Sequence, residues 1–252
     1  MILESKKYFF NTASIVLDDD KIPSIIDSGR YSSIVILSYN KLDLSGFSEY
    51  SKPTLLIKLN QSEKDIFSSF NDTTRNEIRK TYKEESLKFT FSESPTEESY
   101  DVYKKFEYNQ GRVPVSFPKI SNTIFLGAYL DNVLISGIYI NKSFPYLRIR
   151  SIFSERLKED DKNKYKIIAY STRRIVWEAC LWGMKNNFVS LDMASVNINN
   201  PKTLSIAKFK MSFGKDLTPE YTYIYKTKIY SFFEKLIHFK IFIKSLIFRI
   251  KN

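Results

Sequence analysis

Three strand-like runs in succession, followed at once by a long helix-periodic stretch, constrain this chain more than any other feature. Phe125–Tyr129, Val133–Ile140 and Tyr146–Phe153 are rich in β-branched and aromatic residues. Asp131-Asn132 and Lys142–Pro145 separate them, segments short enough only for tight turns. The pattern predicts an antiparallel meander. A charged loop over Ser154–Lys166 leads into Ile167–Asn187, where Ile168, Ser171, Ile175, Ala179, Trp182 and Gly183 recur at three- and four-residue steps, one face of a long helix. Phe188–Met193 reads as a buried strand, Asn200–Met211 as a second helix and Tyr221–Tyr225 as a last strand. Upstream, Ser32–Ser38 and Thr54–Leu59 read as strands, and Asn60–Ser86 as helices with a wet face. Lys88 opens an edge strand, and Pro95 with Thr96 a helix start. From Lys88 onward the order is strand, helix, three strands, helix, strand, helix, strand. That order predicts an α+β mixed sheet flanked by helices rather than a doubly wound one.

Several chemistries are excluded by what the chain lacks. Its one histidine, His238, lies in the C-terminal tail, so Ser-His-Asp and Cys-His mechanisms have no base in the folded body. One His and one Cys cannot supply a usual zinc ligand set, and no metal site is expected. The seven glycines are widely separated, which rules out a Walker loop and a dinucleotide fingerprint. The run Asp18–Asp20 reads as a solvated turn. A lone Cys180 agrees with a reducing compartment. No secretory leader or membrane-spanning run is visible, so the expected location is cytoplasmic.

The net charge of +11 calls for an anionic partner. Between Lys226 and Asn252 seven Lys or Arg face one Glu, so the tail holds +6 of that charge. On a helical wheel Phe232, Leu236, Phe239, Ile243, Leu246, Ile247 and Ile250 form one stripe, with Lys240, Lys244 and Lys251 along a flank. Aromatic anchors beside snorkelling lysines predict an in-plane helix, attached peripherally to anionic lipid of the inner leaflet. A helix packed on the domain or on a dimer partner is the alternative.

Four blocks in order carry a family resemblance: Thr74-Arg75-Asn76-Glu77-Ile78-Arg79-Lys80 with Leu87-Lys88-Phe89; Asn109–Phe117 after a helix; the long helix with Trp177, Glu178, Ala179 and Trp182 ending in Phe188-Val189-Ser190-Leu191-Asp192; and Phe209-Lys210-Met211-Ser212-Phe213-Gly214. Together they resemble the Fem-type aminoacyltransferases and related single-domain members of the GNAT superfamily, over roughly residues 60–226. The resemblance implies a GNAT-like acyltransferase domain over 87–226. It leaves 1–86 as an N-terminal partial GNAT-like subdomain and 227–252 as the membrane-surface helix. It also implies transfer of an aminoacyl or other acyl group to an amino sugar, or to a lipid-linked or nucleotide-linked cell-envelope glycan precursor.

The resemblance implies Lys210 and Asp192 as catalytic: the lysine stabilising an oxyanion or a donor phosphate, the aspartate accepting a proton or orienting the amine. An exposed helix lysine and a turn-capping aspartate fit the same positions. Arg112, in a loop shaped by Gly111 and Pro114, is a candidate for phosphate recognition. So are Arg75 and Arg79 on one helix turn, where surface salt bridges are the alternative. Arg148 and Arg150 alternate along a strand and are expected on one sheet face as a substrate-binding pair.

Two departures from the family pattern stand out. The chain has room for one GNAT-like domain plus a remnant, where Fem enzymes carry two. The glycine-rich pyrophosphate loop before the long helix is missing, since Lys158–Ser171 contains no glycine. No tightly bound cofactor is expected, and the donor, as co-substrate, is an aminoacyl-tRNA or carrier-bound acyl group rather than acetyl-coenzyme A. Two rival readings remain: a non-catalytic RNA- or tRNA-binding module, and a membrane-tethered scaffold.

Overall fold

A computed structural model describes residues 1–155 and 161–237. The chain divides into two compact units, Met1–Ser51 with Pro219 onward, and Lys52–Thr218. The division falls at Ser51 rather than near residue 86, where the sequence places the subdomain boundary.

The first unit opens with a hairpin absent from the sequence reading: β1 (Ile2–Lys7) and β2 (Phe10–Val16) pair antiparallel across Tyr8-Phe9. Helix α1 (Ile22–Asp27) returns the chain to β3 (Ser33–Ser38), which lies parallel to β2. The acidic run forms a 3-10 turn before α1; Asp18 accepts from the N-terminal ammonium at 2.9 Å and Asp19 from Ser38 Oγ at 2.7 Å.

The second unit holds most of the remaining elements. Strand β4 (Ser48–Lys58) carries the chain into it. Helices α2 (Glu63–Ser69) and α3 (Asp72–Thr81) each start on a side-chain cap, Ser62 and Asn71. After β5 (Leu87–Ser92), Thr96 and Ser99 close a reciprocal capping box on α4 (Glu97–Asn109). The expected meander follows as β6 (Ile124–Leu130), β7 (Val133–Ser143) and β8 (Tyr146–Ser154), antiparallel throughout. The long helix α5 (Lys162–Lys185) begins five residues before its apolar periodicity, because Asp161 caps it. Then come β9 (Ser190–Ser195) and α6 (Leu204–Met211). The strand order in this unit is β4-β9-β8-β7-β6-β5. The α+β mixed sheet flanked by helices is therefore the observed architecture.

Both faces of this sheet are covered, so its central strands are apolar on both sides. Ile124, Leu126 and Ala128 of β6 pack with Ile168, Ile175, Val176 and Ala179 of α5. Phe125 of the same strand packs on the other face with Tyr139, Phe153 and Tyr103 of α4. Cys180 is fully buried in the first of these cores, which pushes its thiol pKa up.

The chain re-enters the first unit through β10 (Leu217–Lys226), antiparallel to β3. A helix then runs from residue 228 to the last described residue, 237. Its start is part of the folded unit: Tyr230 is buried and its ring meets Phe10 edge-on at 5.2 Å. The C-terminal helix thus begins inside a folded unit, its first turn packed on that unit's own β2. Phe232 and Leu236 are exposed, away from that contact. Phe239, Lys240, Ile243, Lys244 and Lys251 lie outside the described residues. Among the described residues no helix is long and apolar enough to cross a membrane.

Gly137 marks how tightly β7 is sandwiched. A methyl group there would stand 2.6 Å from Phe153 Cζ and 2.7 Å from Phe125 Cε2. Both rings are fully buried and have nowhere to go. Gly137→Ala is therefore expected to destabilise the fold by about 1–3 kcal/mol through overpacking, read as a lower urea midpoint at unchanged m-value.

Candidate active site

Parallel pairing of β8 with β9 lasts for only three residue pairs, Tyr146–Ser190, Leu147–Leu191 and Arg148–Asp192. Yet β8 continues to Ser154 and β9 to Ser195. On its other side β8 carries a bulge: Tyr139 and Ile140 of β7 face Ser151 and Ile149, which leaves Arg150 as the extra residue. A bulge bends the strand and re-aims a side chain. The opening between the strands is a cavity of about 660 Å³, walled by Ile149–Ser154 of β8, Met193 and Ala194 of β9, Tyr103 and Glu107 of α4, and Phe209 and Lys210 of α6.

At the last paired position the Arg148 guanidinium donates to Asp192 Oδ2, and Thr54 Oγ of β4 donates to Oδ1 of the same carboxylate. Asp192 and Thr54 are fully buried. The sequence reading offered Asp192 as a cleft residue that accepts a proton or orients the amine, or as a turn cap; in the structure it is fully buried behind the cavity wall. Its Oδ1 also accepts from Ala194 N at 2.7 Å. Ala194 has φ of +59°, the left-handed region that an alanine seldom occupies. Asp192 therefore holds a strained turn of β9 that does line the cavity.

The other predicted residues separate into two groups. Arg75 donates to Ser68 O at 2.8 Å, to Phe70 O and to Asp72, which ties the α2–α3 turn together. Arg79 is exposed and donates to Asn76 Oδ1 at 3.1 Å. Neither lines the cavity, and their contacts are those of the surface-helix alternative. Arg148 is likewise engaged with Asp192, so it is not the twin of Arg150 that strand alternation predicts; the bulge breaks the alternation between them.

Arg112, Arg150 and Lys210 do line the cavity. Gly111, at φ +68°, ends α4 in a Schellman motif: Gly111 N donates to Tyr108 O and Arg112 N to Glu107 O, each at 2.9 Å. That turn folds Arg112 back onto its own helix. Its guanidinium grips Glu107 with two bonds, 2.7 and 2.9 Å, and the carboxylate raises the arginine's pKa. Lys210 Nζ donates to Ser195 O at 2.9 Å, which fixes it beside the end of β9.

Arg150 differs from both. It has no ion pair among the described residues. Its surface is open to solvent, yet the protein crowding its guanidinium pulls its pKa below the ordinary arginine value, against the nearby Tyr103 phenol. Among the described lining residues these three cations face one carboxylate, Glu107, a net positive set. Among the described residues no group of acidic, His or Cys side chains gathers to hold a metal ion. Sequence reasoning missed Glu107, Tyr103 and Ala194. Only the glycine stop after α4 hinted at the first.

No protein-family model matches the chain, and no curated protein does. Solved structures do. FemX aligns over 92% of this chain and 85% of its own, with a TM-score of 0.62 at 10% identity. L-PGS from Bacillus licheniformis aligns over 90% and 81%, at 0.55 and 12% identity. The C-terminal domain of a putative lysylphosphatidylglycerol synthetase from Agrobacterium fabrum covers the same shares, at 0.55 and 10%. The chain has a Fem-type fold. In this Fem-type sheet the parted strands β8 and β9 form the cavity, and the Arg148–Asp192–Thr54 staple marks where they part.

The staple makes a direct prediction. Asp192→Asn keeps the shape and both acceptor positions' neighbours but removes the charge that Arg148 pairs with. Removing one member of a buried pair leaves the other's charge uncompensated. A stability loss of about 3 kcal/mol is expected by urea denaturation, and a loss below about 1 kcal/mol would show the pair to be dispensable.

Proposed function

We propose that this chain is an N-acyltransferase that moves an aminoacyl or other acyl group onto the amine of an anionic cell-envelope precursor, an amino sugar or a lipid- or nucleotide-linked glycan. The observation that carries the reading is Arg150, a guanidinium with no ion pair among the described residues, set by a bulge on the wall of the cavity between two parting strands. An arginine fork suits phosphate or carboxylate oxygens, and the paired Arg112 and the tethered Lys210 stand on the same wall. The fold likeness to FemX and to a protein named for an aminoacylated phospholipid supports the same chemistry.

In this mechanism the acceptor amine attacks the acyl carbonyl. The new C–N bond forms as the bond to the donor's carrier breaks, and the proton lost from the amine balances the one gained by the released carrier. Arg150 and Arg112 hold the anionic substrate, so orientation does much of the work. Lys210 stabilises the negative charge that develops on the carbonyl oxygen. Asp192 acts as a positioning residue, setting Ala194 at the wall rather than taking the proton.

An aminoacyl-tRNA or another carrier-bound acyl group fits the donor role better than acetyl-coenzyme A. The Asp161 carboxylate already accepts from the first free amides of α5, Asn163 N at 2.7 Å and Lys164 N at 3.1 Å. Those donors hold its pKa below the usual carboxylate value. A diphosphate would have to displace that carboxylate from the helix N-terminus. The basic C-terminal sequence supports a place at the cytoplasmic face of the inner membrane, on anionic lipid.

Two measurements test this reading. Incubated with aminoacyl-tRNA and an amino-sugar precursor, the protein should shift the acceptor's mass by one acyl group. Lys210→Ala should slow that transfer about 10²-fold, the usual consequence of losing one oxyanion donor, with the melting temperature nearly unchanged. Arg150→Gln should chiefly raise KM for the anionic substrate. Tight, salt-sensitive RNA binding without any mass shift would favour the binding-module reading. For the donor, calorimetry is expected to detect no acetyl-coenzyme A binding; micromolar affinity would restore an ordinary acetyltransferase.

A further inference from the structure

The β1–β2 hairpin tip and the C-terminal helix share an apolar surface that no described residue of the first unit covers. Tyr8 and Phe9 form the turn, and Phe9 is 67% exposed. Phe9 meets Phe233 edge-on at 5.3 Å, and Lys7 beside it donates to Glu234 at 3.2 Å, which locks the hairpin to the helix. The helix is apolar on two sides. Tyr230 and Phe233 turn inward to Phe10. Ile229, Phe232 and Leu236, at steps of three and four, stay exposed, Ile229 at 65%. Single exposed apolar side chains are ordinary; a joined group of this size marks a contact surface. Tyr8 has φ of +60°, where a two-residue hairpin turn favours glycine, so the turn holds a large aromatic side chain despite the backbone cost.

We propose that this surface inserts into the interface of an anionic bilayer, with the Tyr8-Phe9 tip as a second anchor beside the C-terminal helix. The inference rests on the membrane-surface reading given above and is independent of acyl transfer. Charge complementarity selects the occupant. Lys7 and Lys226 already satisfy Glu234, and Lys228 and Lys235, exposed on the helix, have no ion pair among the described residues. The sequence beyond, 238–252, adds Lys240, Lys244, Arg249 and Lys251 without an acid. Aromatic side chains with a polar edge, flanked by lysines, match a headgroup boundary. A protein groove would leave those lysines unmatched.

Vesicle flotation and a fluorescent substitution test this on the full chain. The unaltered protein is expected to float with phosphatidylglycerol-containing vesicles and much less with phosphatidylcholine alone. Tyr8→Trp should keep binding, and its emission, measured against the parent's Trp177 and Trp182, should shift to the blue and be quenched by brominated lipid. Tyr8→Ser with Phe9→Ser should weaken partitioning at least about tenfold, at an unchanged circular dichroism spectrum. If the parent floats while Tyr8→Trp is unquenched and the serine variant binds as well as the parent, the hairpin anchor is overturned and the membrane reading survives. If the parent floats with neither vesicle, both fall. A blue shift that grows with protein concentration in the absence of lipid would make the occupant a second copy and overturn the proposal.

Discussion

One buried carboxylate organises the larger of the two units of this molecule. Asp192 receives hydrogen bonds from Thr54 on β4, Arg148 on β8 and the Ala194 amide of its own strand. Two neighbouring strands can be held apart over half their length only if they are fastened firmly where they still touch. A charge pair away from water is strong and directional when its remaining lone pairs are satisfied. Arg148–Asp192 stands at that fastening point, and the unpaired stretches of β8 and β9 beyond it form the cavity walls.

The basic residues illustrate how little charge alone says about binding. Six cations of the folded body were candidates: Arg75, Arg79, Arg112, Arg148, Arg150 and Lys210. Arg75 closes a turn, Arg148 completes the staple, and Arg79 lies on an open helix face. Arg112 is neutralised by Glu107 while still facing the cavity. What distinguishes Arg150 is that it has no ion pair among the described residues, in surroundings that penalise a bare charge. A cation in that state gains from an incoming anion, whereas the paired ones have less to gain.

Much of the fold was legible because local rules and tertiary structure agree. The meander from Ile124 to Ser154 has turns of two residues at Asp131-Asn132 and at Phe144-Pro145, and its first two strands are buried on both faces. The spacing of Ile168, Ser171, Ile175, Ala179 and Gly183 matches the face of α5 that is buried. The hairpin at residues 2–16 was missed for an equally physical reason. In β1 the pattern from Glu4 to Lys7 is exposed throughout, so no alternation marks it as a strand. The start of α5 was read as loop because its first turn is held by the Asp161 cap rather than by apolar periodicity.

The sequence by itself determined the element order from residue 88 and the Fem-type resemblance. Those depend on residue types and on spacings within single elements. Only the tertiary structure decided which arginines face the cavity, that Asp192 is sealed away, and that the C-terminal helix begins inside a folded unit. Arg148 and Arg150 lie two residues apart, and alternation assigns them one face. A single extra residue in β8, visible only against its partner strand β7, gives them different roles. Burial and pairing belong to two or more segments at once, so no segment carries them alone.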